Sequence, residues 1–74
     1  MSLGTAIRII RQKSFYTQED FAKELEVSLS TVNRWELNKA KPNMKAMKEI
    51  KKFCETHSLD FGEIESVWIK KNND

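Results

Sequence analysis

At 74 residues the chain has room for one domain, and a domain of that size buries only about 60% of the surface its unfolded form exposes. Charged residues make up 32% and hydrophobic ones 39%, a balance that excludes a disordered chain, and no apolar run approaches the ~20 residues of a membrane span. The formal charge of +2 is too small to imply a polyanionic partner by itself.

Its distribution says more. Between Arg34 and Lys52, seven positive side chains (Arg34, Lys39, Lys41, Lys45, Lys48, Lys51, Lys52) meet two negative ones, Glu36 and Glu49. That stretch is +5 and the remainder −3. A basic stripe on a slightly acidic domain suits a polyanion, and equally suits a lysine-rich solvated helix. No signal-peptide core opens the chain. The lone Cys54 excludes an internal disulfide framework and fits a cytoplasmic location. The opening Met1–Leu3 reads as including a residue or two of cloning origin, so Ser2 carries no weight.

Taken in order, every long periodic segment has helical spacing, so the expected fold class is all-α: a bundle of five short helices. Leu3, Ala6, Ile7 and Ile10 predict a first helix to about Lys13, interrupted by Ser14-Phe15-Tyr16. Thr17 reads as an N-cap with Asp20 completing a capping box, and Tyr16 and Phe21 form its hydrophobic staple. Helix two is short, with Phe21, Ala22 and Leu25 followed by Glu26-Val27-Ser28. Ser28 repeats the device, with Val27 and Val32 as staple, and helix three runs to about Leu37. Steps of 100° turn Val32, Trp35 and Glu36 inward and Ser30, Asn33, Arg34 and Leu37 outward. Asn38 stops the helix. Pro42-Asn43 opens helix four, with Met44, Met47, Ile50 and Cys54 on its apolar side. Asp60 and Glu63 form a third possible capping box, for a fifth helix carrying Phe61, Ile64, Val67 and Trp68. The domain thus spans 1–69, with a polar tail at 70–74.

Helices two and three, separated by a three- or four-residue turn, make a helix-turn-helix over 18–37. A major groove about 12 Å wide admits such a second helix when its inner side is apolar and its outer side is short and polar. Ser30, Asn33 and Arg34 have that character, and Leu29 can meet a thymine methyl. Arg suits guanine O6/N7 and Asn suits adenine N6/N7, each worth about 1–3 kcal/mol of discrimination.

Gln18-Glu19-Asp20-Phe21-Ala22, Val27-Ser28, Ser30-Thr31-Val32, Arg34-Trp35-Glu36 and Lys39-Ala40-Lys41-Pro42 together resemble the lambda-repressor-like Cro/XRE family of regulators, with a looser likeness from about Leu3 to Ile64. The resemblance implies sequence-specific binding of double-stranded DNA by a bacterial or phage transcriptional regulator, commonly as a homodimer on half-sites. It implies that Thr17 and Gln18 hold a phosphate at the start of helix two. Leu29, Ser30, Asn33 and Arg34 would face base edges, and Lys39 and Lys41 would hold the backbone. Arg11 and Glu36 match positions that form a buried ion pair in some members. Three departures stand out. Glu26 replaces a turn Gly, and Leu29 replaces a polar base-contacting residue. Glu55-Thr56-His57-Ser58 replaces a short Gly-containing link, so helix four is free to run on.

Other chemistries lack parts. Trp35 and the Met44/Met47 pair read as core. Cys54 and His57 are spaced for a helical metal pair, but a structural zinc site needs four ligands; His57 reads as a surface residue. No phosphate loop or nucleophile elbow occurs, so no enzyme and no cofactor are expected. The competing reading is a protein-interaction or antitoxin-type module in which DNA contact is secondary. Trp68 and Ile69 overrun the edge expected of so small a core and supply an association surface, which also serves the dimer.

Overall fold

In the computed structural model, which describes residues 1–72, side-chain oxygens start four helices in the same way. Ser2, Thr17, Ser28 and Asn43 each sit in extended backbone and accept from the N–H three residues on, at 2.9–3.1 Å. Each bond satisfies a donor that the first helical turn leaves unpaired. The helices are α1 (Leu3–Lys13), α2 (Gln18–Leu25), α3 (Leu29–Glu36), α4 (Met44–Thr56) and α5 (Gly62–Asn72), with no strand among the described residues. Ser2, set aside in the sequence reading, is thus the cap of α1.

The same four helices also end alike. Phe15, Glu26, Asn38 and Ser58 have φ of 56–59°, in the left-handed region. At each, the following N–H reaches five residues back: Tyr16 to Arg11, Val27 to Ala22, Lys39 to Arg34, Leu59 to Cys54. This is the Schellman termination, usually built on glycine. Here none of the four is glycine. Helix four therefore does not run on: it stops at Thr56, and Ser58 turns the chain despite the missing Gly.

Tyr16 and Val27 close one helix and precede the cap of the next, which keeps the connections short. Both pack against a core of Leu3, Ile7, Ile10, Phe21, Leu25, Val32, Trp35, Met47, Ile50, Phe53, Cys54 and Ile64 with three alanines. α1 packs on α3 and α5, and α2 on α3 and α4. Gly4 marks the closest approach: a Cβ there would lie 2.5 Å from the Trp35 carbonyl oxygen and 2.7 Å from that of Glu36.

Several expectations are corrected. Met44 is 61% exposed; it shares the stripe of Met47 but sits at the first turn of α4, beyond the reach of the core. His57 is half-buried, its ring 5.3 Å from Tyr16 and 4.3 Å from Phe53. Asp60 accepts from Gly62 N–H at 2.8 Å in place of a capping box with Glu63. Trp68 is half-buried against the core and its indole donates to the Pro42 carbonyl at 2.7 Å, so it belongs to the fold rather than overrunning it. Lys70, Lys71 and Asn72 lie within α5; the remainder of the expected tail, Asn73 and Asp74, falls outside the described residues.

Candidate nucleic-acid interface

α2 and α3 are joined by Glu26, Val27 and Ser28 alone. The left-handed Glu26 reverses the chain, and Ser28 starts α3 at once. α3 buries Val32, Trp35 and Glu36 completely or nearly so, leaves Thr31 half-buried and turns the rest to solvent. Leu29, Asn33 and Leu37 follow one another at four-residue spacing along the exposed ridge, with Ser30 and Arg34 beside them. All five are exposed, Leu29 by 48% and Leu37 by 55%. Ser30 Oγ lies 3.1 Å from Ser28 Oγ, so its hydroxyl is close to the cap.

Behind this ridge lies a polar network. Arg11 Nε donates to Glu36 Oε2 at 2.7 Å and Nη2 to Oε1 at 2.9 Å, while Nη1 donates to the Tyr16 carbonyl at 2.9 Å. The Glu36 side chain is only 4% exposed. Hydrogen bonding to Glu36 raises the Arg11 pKa above its ordinary value, overcoming the opposing effect of burial. Glu36 Oε1 also accepts from Gln18 Nε2 at 3.0 Å, and Gln18 Oε1 accepts from Asn33 Nδ2 at 3.4 Å. The side chain of Gln18 is thus half-buried and engaged by protein on both ends of its amide. Thr17 is exposed, and its hydroxyl caps α2.

Four lysines of the basic stripe border two separate concavities. Lys39 and Lys41 are exposed in the loop after α3 and line a pocket of about 200 Å³ with Leu3, Asn38, Ala40 and Lys71. Lys71 comes from α5, and its presence beside the other two was not legible in the sequence. Lys48 and Lys51 instead flank an apolar groove of about 150 Å³ between α4 and α5, lined by Met44, Met47, Phe61, Trp68 and Ile69.

A three-residue turn, a second helix buried along one side, and a short polar ridge along the other define a helix-turn-helix domain. The helix-turn-helix family model matches residues 7–61, and the chain belongs to that family, of the Cro/C1 type, a class of DNA-binding regulators. It is also similar to the HTH-type transcriptional activator BcrR of Enterococcus faecalis, 36% identical over 53 residues. That stretch is 72% of this chain and 26% of BcrR, so the match covers about a quarter of the relative's length. No solved structure matches the chain significantly. Among the described residues, no helix is long and apolar enough to cross a membrane and no group of metal-ligating side chains forms.

Proposed function

We propose that this domain reads specific sequences of double-stranded DNA for a bacterial or phage transcriptional regulator acting in the cytoplasm. α3 lies in the major groove, with Leu29, Ser30, Asn33 and Arg34 toward base edges. Thr17 and Gln18 meet a phosphate at the start of α2, where helical N–H groups are unpaired, and Lys39 and Lys41 hold the backbone beyond α3. The observation that carries this reading is the division of α3 into a buried side and an exposed ridge of exchangeable polar groups, with two exposed lysines directly following. The printed function of BcrR, transcriptional activation, agrees with it.

One recognition helix reads few base pairs, and at about 1–3 kcal/mol per pair a lone module discriminates poorly against a genome. Two copies on half-sites one helical turn apart solve that problem, so the DNA-bound form is a two-fold homodimer. The Trp68 indole is tied to Pro42 within the same chain.

The test is selection of bound sequences from a random duplex pool, followed by a stoichiometry titration on the winning site. A motif with dyad symmetry and two chains per duplex is the expected result. No enrichment at any salt concentration overturns the DNA reading in favour of a protein-interaction module. A single chain on an asymmetric site overturns only the dimer.

A further inference from the structure

The loop that carries Lys39 and Lys41 is tied down at both ends. At one, Asn38 accepts from the Gly4 N–H at 2.9 Å and donates to Ser2 Oγ at 3.1 Å, which holds it on the first turn of α1. At the other, the buried Pro42 offers its carbonyl to the Trp68 indole at 2.7 Å, which holds it on α5. Residues three apart on a helix are neighbours on its surface, so the side of α5 that reaches Pro42 with Trp68 presents Lys71 one turn further on. Lys71 thereby lines the concavity of about 200 Å³ together with Lys39 and Lys41. Among the described residues no carboxylate lines it. The first turn of α1 and the last turn of α5 border it with opposite ends of their dipoles, about half a charge each, so the three ammoniums set its sign. Like charges drawn together by the fold repel one another, and a polyanion relieves that repulsion while shedding its own counterions.

We infer that Lys71 is a DNA-backbone contact, so that α5 grips the same run of phosphates as the loop after α3. The inference rests on the DNA reading above and extends its interface from the helix-turn-helix to α5. The contact carries no base information; it adds affinity for every duplex and makes that affinity more sensitive to salt. Lys70 is the natural comparison, being exposed and one residue away but not part of the concavity. Removing either lysine changes the net charge alike, and only Lys71 is placed beside Lys39 and Lys41 to touch the strand.

The experiment measures affinities of the wild type, Lys71→Gln, Lys71→Arg and Lys70→Gln for a selected duplex and an unrelated one, between about 50 and 200 mM salt. One phosphate contact is worth about 0.9 in log–log slope, or about 3.5-fold in affinity across that range. Lys71→Gln is expected to lose that sensitivity on both duplexes, Lys71→Arg to keep it, and Lys70→Gln to shift the slope by less than about 0.3. Melting temperatures establish that each variant is folded; Lys71→Ala replaces Lys71→Gln if that variant is not. Equal flattening by Lys71→Gln and Lys70→Gln overturns the contact, because net charge then accounts for the effect. An unchanged slope in Lys71→Gln overturns it too and leaves the DNA reading intact. Inorganic phosphate, compared with chloride at equal ionic strength, separates a strand from a free ion. A melting temperature that phosphate raises in the wild type but not in Lys71→Gln, with no change in the DNA slope, assigns the concavity to a small anion instead. If the wild type binds no duplex at any salt concentration, the DNA reading itself fails and takes this contact with it.

Discussion

Arg11 on α1 and Glu36 on α3 meet side-on through two hydrogen bonds of 2.7 and 2.9 Å, 25 residues apart in sequence. The geometry is bidentate, which a guanidinium provides and an ammonium does not. Removing one partner leaves the other buried and uncompensated, at a cost of about 3–5 kcal/mol. Glu36→Gln is therefore expected to destabilise the domain strongly, although it removes a negative charge from the helix proposed to approach DNA. For a domain this small, about 4–8 °C of melting temperature is lost per kcal/mol, so thermal denaturation resolves the effect. Arg11→Met/Glu36→Met should recover part of the loss, because no buried charge remains. An unchanged melting temperature in Glu36→Gln would mean the pair contributes nothing.

Gly4→Ala tests the packing of α1 on the end of α3. The added methyl has no flexible side chain to displace, only the carbonyl groups of Trp35 and Glu36. The two helices must separate, and overpacking of this kind costs about 1–3 kcal/mol. Denaturant unfolding should show a lowered midpoint. Alanine's better helix propensity would raise the midpoint if the contact were loose.

The left-handed helix ends should respond to glycine with opposite signs. Phe15 and Glu26 are exposed and held at φ 59°, a conformation that costs a non-glycine residue roughly 1–2 kcal/mol. Phe15→Gly and Glu26→Gly are each expected to stabilise, by about 0.5–1 kcal/mol once the greater freedom of the unfolded chain is set against the relieved strain. Asn38 has the same φ, but its Oδ1 accepts from Gly4 N–H at 2.9 Å and its Nδ2 donates to Ser2 Oγ at 3.1 Å. Asn38→Gly should destabilise. Melting temperatures of the three variants, measured side by side, check the contrast.

What the sequence showed and what it hid divide by range. The N-caps at Thr17 and Ser28 bond three residues on, so a local pattern was enough to place them. The inward Val32, Trp35 and Glu36 followed from the 100° step because a helix that short has one side to bury. Helix four was expected to run on because the link lacks glycine; a Schellman end formed on Ser58 instead, tertiary packing outweighing local preference. Trp68 was misplaced for a different reason. Its partner, Pro42, is 26 residues away, and no periodicity within α5 announces a chain segment crossing over it. The Gln18–Asn33 bond was hidden in the same way.

Counterion release distinguishes the proposed phosphate contacts from the base contacts. Lys39→Ala and Lys41→Ala should each weaken binding to every duplex by a similar factor and flatten the salt dependence by about 0.9 in log–log slope. Asn33→Ala should leave the slope unchanged and relax one position of the motif. Titrations at several salt concentrations supply both numbers. Equal slopes for all proteins would remove the two lysines from the interface.

Cys54 is fully buried, and its thiol is pushed up to about 11, first by desolvation and then by the nearby charges of Asp60 and Glu55. In the unfolded chain it ionises near its ordinary value of 9.0. Between those values the unfolded state has released a proton that the folded state retains, so stability from this group is present below pH 9 and is lost as pH rises toward 11. The stability of the wild type relative to Cys54→Ala should accordingly fall across that window, in denaturant titrations at successive pH values. A constant difference would show that the thiol titrates alike in both states. Alkylation of Cys54 in the native protein should be slow at neutral pH and rise with denaturant.

The bond from the Trp68 indole to the Pro42 carbonyl gives the two tryptophans different optical environments. Trp35 is 3% exposed within the core, and its emission should follow the cooperative loss of the whole fold. Trp68 is half-buried and hydrogen-bonded to the segment that directly follows Lys41. Its emission should follow that segment, responding to displacement of the lysine-bearing loop even when the core stays intact. A variant carrying only Trp68 would therefore act as a built-in gauge of loop movement, and one carrying only Trp35 as a gauge of unfolding, with no dye attached to either.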